Sequence, residues 1–402
     1  MISFEITHRD PGSKARVGRL RTAHGEVETP AFLPLATKGA VRALVSEELR
    51  AIGVQILMAN TYHLFLQPGP EIIRGAGGLH RFTGWDGPIM TDSGGFQVFS
   101  LWYGHVADEI KGRRSYPEDR EVSVIRVEED GILFKSYIDG SLHWFSPETS
   151  MEVQHALGSD IAVVLDECTP YHATYDYTRK SMERTHRWAI RSLKAHEKAG
   201  MMDRQALFGI VQGGIYRDLR EESARVITSL PVQGICIGGS LGKDKEEMSR
   251  VVSWVVPFLP EGKPRHLLGI GEPDDLVHGV EQGMDLFDCA FPTRLGRHGM
   301  LLVRGMPRFR MDVTKGVFAK DFGPVDPDCS CTTCQRYTRA YLHHLFKAGE
   351  LTGVRLATLH NLAWILKLLQ DMREAIKETR FQAWKEQVLK GEVLAEGKGQ
   401  GR

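Results

Sequence analysis

Ile161-Ala-Val-Val-Leu-Asp166 is five apolar residues without alternation, stopped by an acid. A strand buried on both faces reads this way, because neither side meets water and no polar residue is selected at every second position. Seven further runs share the character, at 29–34, 55–59, 88–91, 207–211, 234–237, 266–270 and 286–290. Stretches with helical periodicity lie between them, at 46–52, 147–157, 177–198, 217–229, 245–258 and 273–282. Periodicity by itself also admits an open α/β sheet. Eight strand candidates alternating with helices predict closure instead, an α/β fold of the (β/α)8 TIM-barrel class over residues 1–293. After the third run the rhythm breaks into a charged stretch, 108–121, and then a β-hairpin, 132–137 with 142–145, around the turn Asp139-Gly140. It breaks again at Arg294, where composition turns basic, then cysteine-bearing, then helical at 336–348 and 361–378. Residues 294–380 are expected to form a basic, cysteine-bearing C-terminal subdomain with helices and 381–402 a tail, its last dozen residues frayed.

Composition narrows the class of protein. With 402 residues, 42% hydrophobic and 25% charged, the chain can bury a large core, so disorder, collagen-like repeats and a disulfide scaffold are poor readings. Six cysteines in this length predict a reduced, cytoplasmic setting. The first residues lack the apolar stretch of a secretory signal, and no apolar run approaches the ~20 residues of a membrane span. Lys plus Arg (51) cancels Asp plus Glu (51), which removes any composition-level sign of a nucleic-acid partner. The cancellation is not local. Between 294 and 320 seven basic residues (294, 297, 304, 308, 310, 315, 320) face one acid, Asp312.

Two constellations carry chemistry. Cys329-Ser-Cys331-Thr-Thr-Cys334 places three thiols within six residues, and His360 follows after 25 more. Thiolates and imidazole suit tetrahedral Zn2+, and three Cys with one His fill its shell, which predicts one structural ion per subunit. From spacing alone His343 and His344 compete with His360 for the fourth place. Cys168, Cys236 and Cys289 sit on or just after strand-like runs, where a small buried residue is the default. The second constellation lies where apolar strands stop: Asp92, Asp166, Gln212, Gly238-Gly239, Gly269, Gly271 and Asp288. Any one of these aspartates could simply cap a helix or turn. In a barrel, however, these ends converge on one mouth, where carboxylates shift one another's pKa values and divide acid, base and nucleophile roles. No Walker loop, HExxH, GxSxG or dinucleotide fingerprint is present. A carboxylate nucleophile with a second acid/base carboxylate suits substitution at an anomeric carbon, so the residues alone point to glycosyl transfer or a glycosidase-like reaction.

Several segments are more specific. Thr91-Asp-Ser-Gly-Gly-Phe-Gln97, Leu165-Asp-Glu-Cys-Thr-Pro170, Gly209-Ile-Val-Gln-Gly213, Phe287-Asp-Cys289, Pro292-Thr-Arg294, the Cys-x-Cys-x2-Cys of the tail and Arg339-Ala-Tyr-Leu-His-His344 occur in order. Together they resemble the tRNA-guanine transglycosylase family of bacterial type (queuine tRNA-ribosyltransferases), over about residues 16–378. The resemblance implies a glycosyltransferase, usually a homodimer. It exchanges the wobble guanine of tRNAs with a GUN anticodon for a free 7-deazaguanine, in bacteria 7-aminomethyl-7-deazaguanine (preQ1), in queuosine biosynthesis. By the family's pattern Asp288 is the nucleophile that forms a covalent ribose adduct and Asp92 the general acid/base. Asp166 accepts the base's two adjacent N–H groups, and Gln212 and the Gly239 N–H donate to its carbonyl oxygen. Phe96 and Leu268 sandwich the ring, Ser93 and Cys168 line the pocket, and Arg294 and Arg297 read the bases flanking the guanine. His360 becomes the implied fourth zinc ligand. Phe96 and Leu268 replace the family's more usual tyrosine and methionine and keep a stacking surface. Residues 102–122 resemble an insertion of about twenty residues. The turn Gly238-Gly-Ser-Leu-Gly-Lys243 is one residue shorter than the bacterial pattern and lacks its valine and glutamate. That change makes queuine itself an alternative incoming base. A non-catalytic tRNA-binding subunit is the other alternative, and the presence of Asp92, Asp166 and Asp288 argues against it.

Overall fold

The structure, a computed structural model, describes residues 2–103 and 124–398. Eight parallel strands close on themselves: β1 (Ala31–Ala36), β2 (Leu57–Ala59), β3 (Ile89–Thr91), β4 (Ile161–Val163), β5 (Ala206–Val211), β6 (Gly234–Ile237), β7 (Arg265–Leu267) and β8 (Leu286–Cys289). Pairing runs in chain order, and β8 returns to β1 in the register Leu286↔Ala31 through Cys289↔Pro34. That seam decides between the two readings of the periodicity, and the sheet is a (β/α)8 barrel. Every residue of β5 and β6 is buried, as continuous apolar runs require. Several strands stop before the residues that end the apolar runs. β4 stops at Val163, so Asp166 lies beyond the ladder, in the turn that leaves the barrel's C-terminal end. The helices return outside, begun by side-chain caps: Ser146 accepts from Thr149 N, Thr174 from Tyr177 N and Asp244 from Glu247 N.

Several features were not expected. An antiparallel sheet of Ser3–Arg9, Arg16–Thr22 and Gly25–Thr29 precedes the barrel. Its alternation is carried by few residues, Val17, Leu20 and Val27, among many charges, so it reads poorly as strand. Arg16 fastens it: its guanidinium meets Asp285 bidentately at 2.9 and 2.6 Å, with both side chains out of solvent. At the barrel's other end from the mouth, Asp160 receives His24 Nδ1 (2.8 Å), His80 Nε2 (3.2 Å) and Ile89 N (2.9 Å). The expected hairpin is present as Ile132–Lys135 and Leu142–Phe145, and a third strand, Val124–Val127, extends it. Its inner face (Val124, Ile132, Phe134, Phe145) shares a satellite core with Val98 and Phe99 of the helix Gly95–Tyr103. Nearly all of the stretch 102–122 lies outside the described residues.

Beyond β8 come the helix Phe291–Arg297, a strand pair Met300–Leu302 and Arg310–Asp312, and the helices Thr332–Arg336, Arg339–Ala348 and Leu351–Lys377. The last is 27 residues long and starts well before the expected position 361. Asn361 in its interior clips the preceding turns, donating to Pro292 O and Met300 O and accepting from Leu302 N. Where a tail was expected from 381, a helix Phe381–Lys398 forms, seated by the fully buried Phe381. Among the described residues no helix is long and apolar enough to cross a membrane.

Candidate active site and metal centre

Asp92 follows β3 directly, and the turn after β2 holds it. Asn60 Nδ2 donates to Oδ2 at 2.5 Å, Thr61 N to Oδ1 at 2.8 Å and Gln97 Nε2 to Oδ2 at 2.7 Å. Burial pushes this carboxyl up to about 6 against the lowering pull of those donors, and Asp288 adds a further upward push. Asn60, Thr61 and Gln97 were missed as site residues. Their signal was present, since Asn60 and Thr61 end the apolar run at 55–59 as Asp92 ends the next.

Asp166 is buried on the same side. Ser93 Oγ donates to Oδ1 at 2.9 Å and Gln212 Nε2 to Oδ2 at 2.7 Å. Burial pushes its carboxyl up to about 6 too, with Ser93 and Gln212 pulling it down and Asp92 pushing it further up. The backbone crowds these groups so closely that two positions admit only glycine. A Cβ at Gly95 would stand 2.5 Å from Asp166 O, and one at Gly239 would stand 2.2 Å from Gln212 Oε1 on a backbone with φ of +76°. Arg220, fully buried, fixes this corner. Its guanidinium donates to the carbonyls of Val211, Gly214, Gly238 and Ser240, joining the turns after β5 and β6. Cys168 is buried beside it, its thiol pushed well up by burial and held neutral.

Asp288 lies within β8 and is 8% exposed, and Gly269 N donates to its Oδ1 at 3.2 Å. His266 of β7 was not anticipated here. Its ring is fully buried and its Nε2 lies 2.9 Å from the same oxygen. Leu268 is half-buried on the loop after β7, and Phe96 is 40% exposed at the start of its helix. Arg294 and Arg297 sit on the short helix that leaves β8. Partial burial, then Arg42 and Arg294, holds the Arg297 guanidinium below its usual range, which reveals a small basic cluster and adds Arg42, from the loop after β1, to it. The mouth therefore brings together Asp92, Ser93, Phe96, Asp166, Cys168, Gln212, Gly239, Leu268 and Asp288, with the arginines at its rim.

On the flank, Cys329, Cys331, Cys334 and His360 converge, their ligand atoms within 4.8 Å of one another. The three sulfurs lie 3.7, 3.6 and 3.2 Å from His360 Nδ1, separations that suit ligands sharing one tetrahedral ion. His360 Nε2 stands 2.8 Å from Leu302 O. A carbonyl only accepts, so the proton is on Nε2 and the Nδ1 lone pair faces the thiols. His343 is committed to Val313 O at 2.9 Å and His344 is exposed, which removes both competitors.

A closed parallel barrel with three carboxylates at its mouth and a Cys3His cluster on its flank defines a (β/α)8-barrel protein with an acidic candidate active site and a candidate metal centre. Residues 10–392 match the family model described as queuine tRNA-ribosyltransferase. A protein of that name from Roseiflexus sp. (strain RS-1) is 52% identical over 389 residues, 94% of this chain and 97% of its own length. Relatives of the same name from Pelotomaculum thermopropionicum and Desulforudis audaxviator are each 48% identical over 97% and 96% of this chain and 98% of their own. The chain belongs to the queuine tRNA-ribosyltransferase family, and it is a tRNA-guanine transglycosylase of the queuosine pathway.

Proposed function

We propose that the enzyme replaces the wobble guanine of GUN-anticodon tRNAs by 7-aminomethyl-7-deazaguanine in two displacements at ribose C1′. A carboxylate oxygen of Asp288 bonds C1′ as the C1′–N9 bond breaks and its electron pair passes to guanine. Asp92 gives the departing base a proton. The incoming base then loses a proton to Asp92, its nitrogen bonds C1′, and the C1′–O bond returns its pair to Asp288. A carboxyl poised near 6 can hold and release a proton close to neutrality, which is what such a cycle asks of Asp92. Asp166, ionised, accepts the base's adjacent N–H groups bidentately. Gln212 turns its amide from Asp166 to the base carbonyl, beside the Gly239 N–H. Phe96 and Leu268 cover the two faces of the ring and Cys168 lines its edge, a slot suited to a base swung out of a single-stranded loop. Arg294 and Arg297 meet the neighbouring nucleotides. The observation that carries this reading is the meeting of Asp92, Asp166 and Asp288 at one mouth, with Asp166 held by Ser93 and Gln212.

The donor set of Cys329, Cys331, Cys334 and His360 fits one Zn2+ per subunit, whose full shell gives it a structural part. The working unit is a homodimer in the cytoplasm. Incubation with radiolabelled guanine and a GUN-anticodon tRNA tests the chemistry. Wild type should incorporate label and form a denaturation-stable tRNA adduct, and Asp288→Ala should do neither; label incorporation by Asp288→Ala would overturn the assignment. The shortened turn after β6 favours a second reading for the incoming base alone. Competing queuine against preQ1 in the same assay decides it, since preference for queuine would move the enzyme to salvage.

A further inference from the structure

The two oxygens of Asp288 are not equivalent. Oδ1 receives Gly269 N at 3.2 Å and has the His266 ring at 2.9 Å, whereas Oδ2 has no hydrogen-bond partner among the described residues. His266 is fully buried on β7, in register with Cys236 on one side and Leu286 on the other, and among the described residues neither ring nitrogen has a hydrogen-bonded partner. An imidazole buried this way leaves both nitrogens unsatisfied, a cost that a fold tolerates where the group has work to do. Contacts of this kind in a resting site are often poorly aligned and straighten when substrate arrives.

Resting on the nucleophile assignment above, we propose that His266 is a positioning residue for Asp288. With its proton on Nε2 it holds Oδ1 together with the Gly269 N–H, and this makes Oδ2 the atom that bonds ribose C1′. In the adduct the C1′–Oδ2 bond makes Oδ1 the ester carbonyl oxygen, still facing both donors. When the second base attacks, the C1′–Oδ2 pair returns to the carboxylate and the same two donors receive the charge. No proton leaves His266 in either step. The ring therefore assists departure of the carboxylate more than its attack, because donors to a carboxylate temper it as a nucleophile and improve it as a leaving group.

The asymmetry gives a signature that mere packing does not. His266→Phe fills the space without a donor, and His266→Gln returns an N–H near the place of Nε2. With guanine and a GUN-anticodon tRNA, the Phe variant should lose about tenfold or more in kcat. Its KM for guanine should change little, and the fraction of enzyme trapped as denaturation-stable adduct at steady state should rise. The Gln variant should recover most of kcat and the wild-type adduct fraction. Thermal melting of each variant confirms that folded proteins are compared. Wild-type kcat in the Phe variant, parallel loss of kcat and adduct, or a Gln variant no better than Phe would each overturn the role of His266. Absence of any adduct in wild type would instead sink the nucleophile assignment.

Discussion

The part proposed for Asp166 in holding the base ties recognition to pH through one buried carboxyl. Its pKa is pushed from the ordinary 3.8 to about 6, and only the ionised form can accept two N–H groups of the base. Affinity for free guanine should therefore be full above about pH 6 and fall roughly tenfold per unit below it. Measured KM for guanine across that range checks this, and a flat profile would contradict it. The same shift has a stability consequence of the opposite sign. A raised folded pKa means that the folded state binds more protons than the unfolded one between 3.8 and about 6. Asp166 should thus become less costly to the fold as pH falls through that window, and wild type should gain in melting temperature relative to Asp166→Asn between about pH 7 and about pH 5. Asp92 and Asp166 were legible in sequence because an acid ended an apolar run. His266 was not, because it opens such a run and a lone histidine there reads as packing.

Among the elements, the 27-residue helix Leu351–Lys377 spans about 40 Å and does two jobs. Near its middle His360 joins the three cysteines, and near its end Arg373 donates to Pro30 O while Arg373 and Lys377 both meet Glu28. Removal of the metal should uncouple the first job. Elemental analysis of wild type should find the proposed one zinc per chain, and Cys334→Ser, or chelation of wild type, should abolish it and lower the melting temperature by several degrees, because the thiols would be left without the ion that matches them. Unchanged melting after complete metal loss would count against a structural ion. Closer to the barrel, Asp285→Ala leaves Arg16 buried without its carboxylate and should cost about 3–5 kcal/mol in chemical denaturation. The thiol spacing was readable in advance. The choice of histidine was not a matter of spacing: it follows from Val313 O occupying His343 and Leu302 O fixing the tautomer of His360. The N-terminal sheet escaped notice because its strands interleave few apolar residues with arginines and glutamates, and an element of that composition gains its identity only from what it packs on.

For the whole molecule, a formal charge of zero hides an uneven distribution, with three carboxylates inside the mouth and Arg42, Arg294 and Arg297 at its rim. RNA binding should accordingly be local and salt-sensitive. KM for tRNA should rise with ionic strength, and replacing Arg294 and Arg297 by alanine should lessen the slope of log KM against log salt by roughly 0.7 for each phosphate that an arginine had neutralised. An unaltered slope would place these arginines on bases or away from RNA. The barrel itself was largely legible, because eight doubly buried strands are written as apolar runs, whereas closure became certain only from the β8–β1 seam. That seam also has a history in time. Arg373 meets Pro30 from 343 residues further along the chain, and β1 pairs with β8, so the edge of the first strand stays open until residues 286–289 have been synthesised. At ribosomal speeds of about 5–20 residues per second, that is an interval on the order of tens of seconds. Nascent chains of this protein therefore carry an unpaired, wholly apolar strand edge for most of their time on the ribosome, and it is there, rather than in the finished fold, that assistance against aggregation is needed.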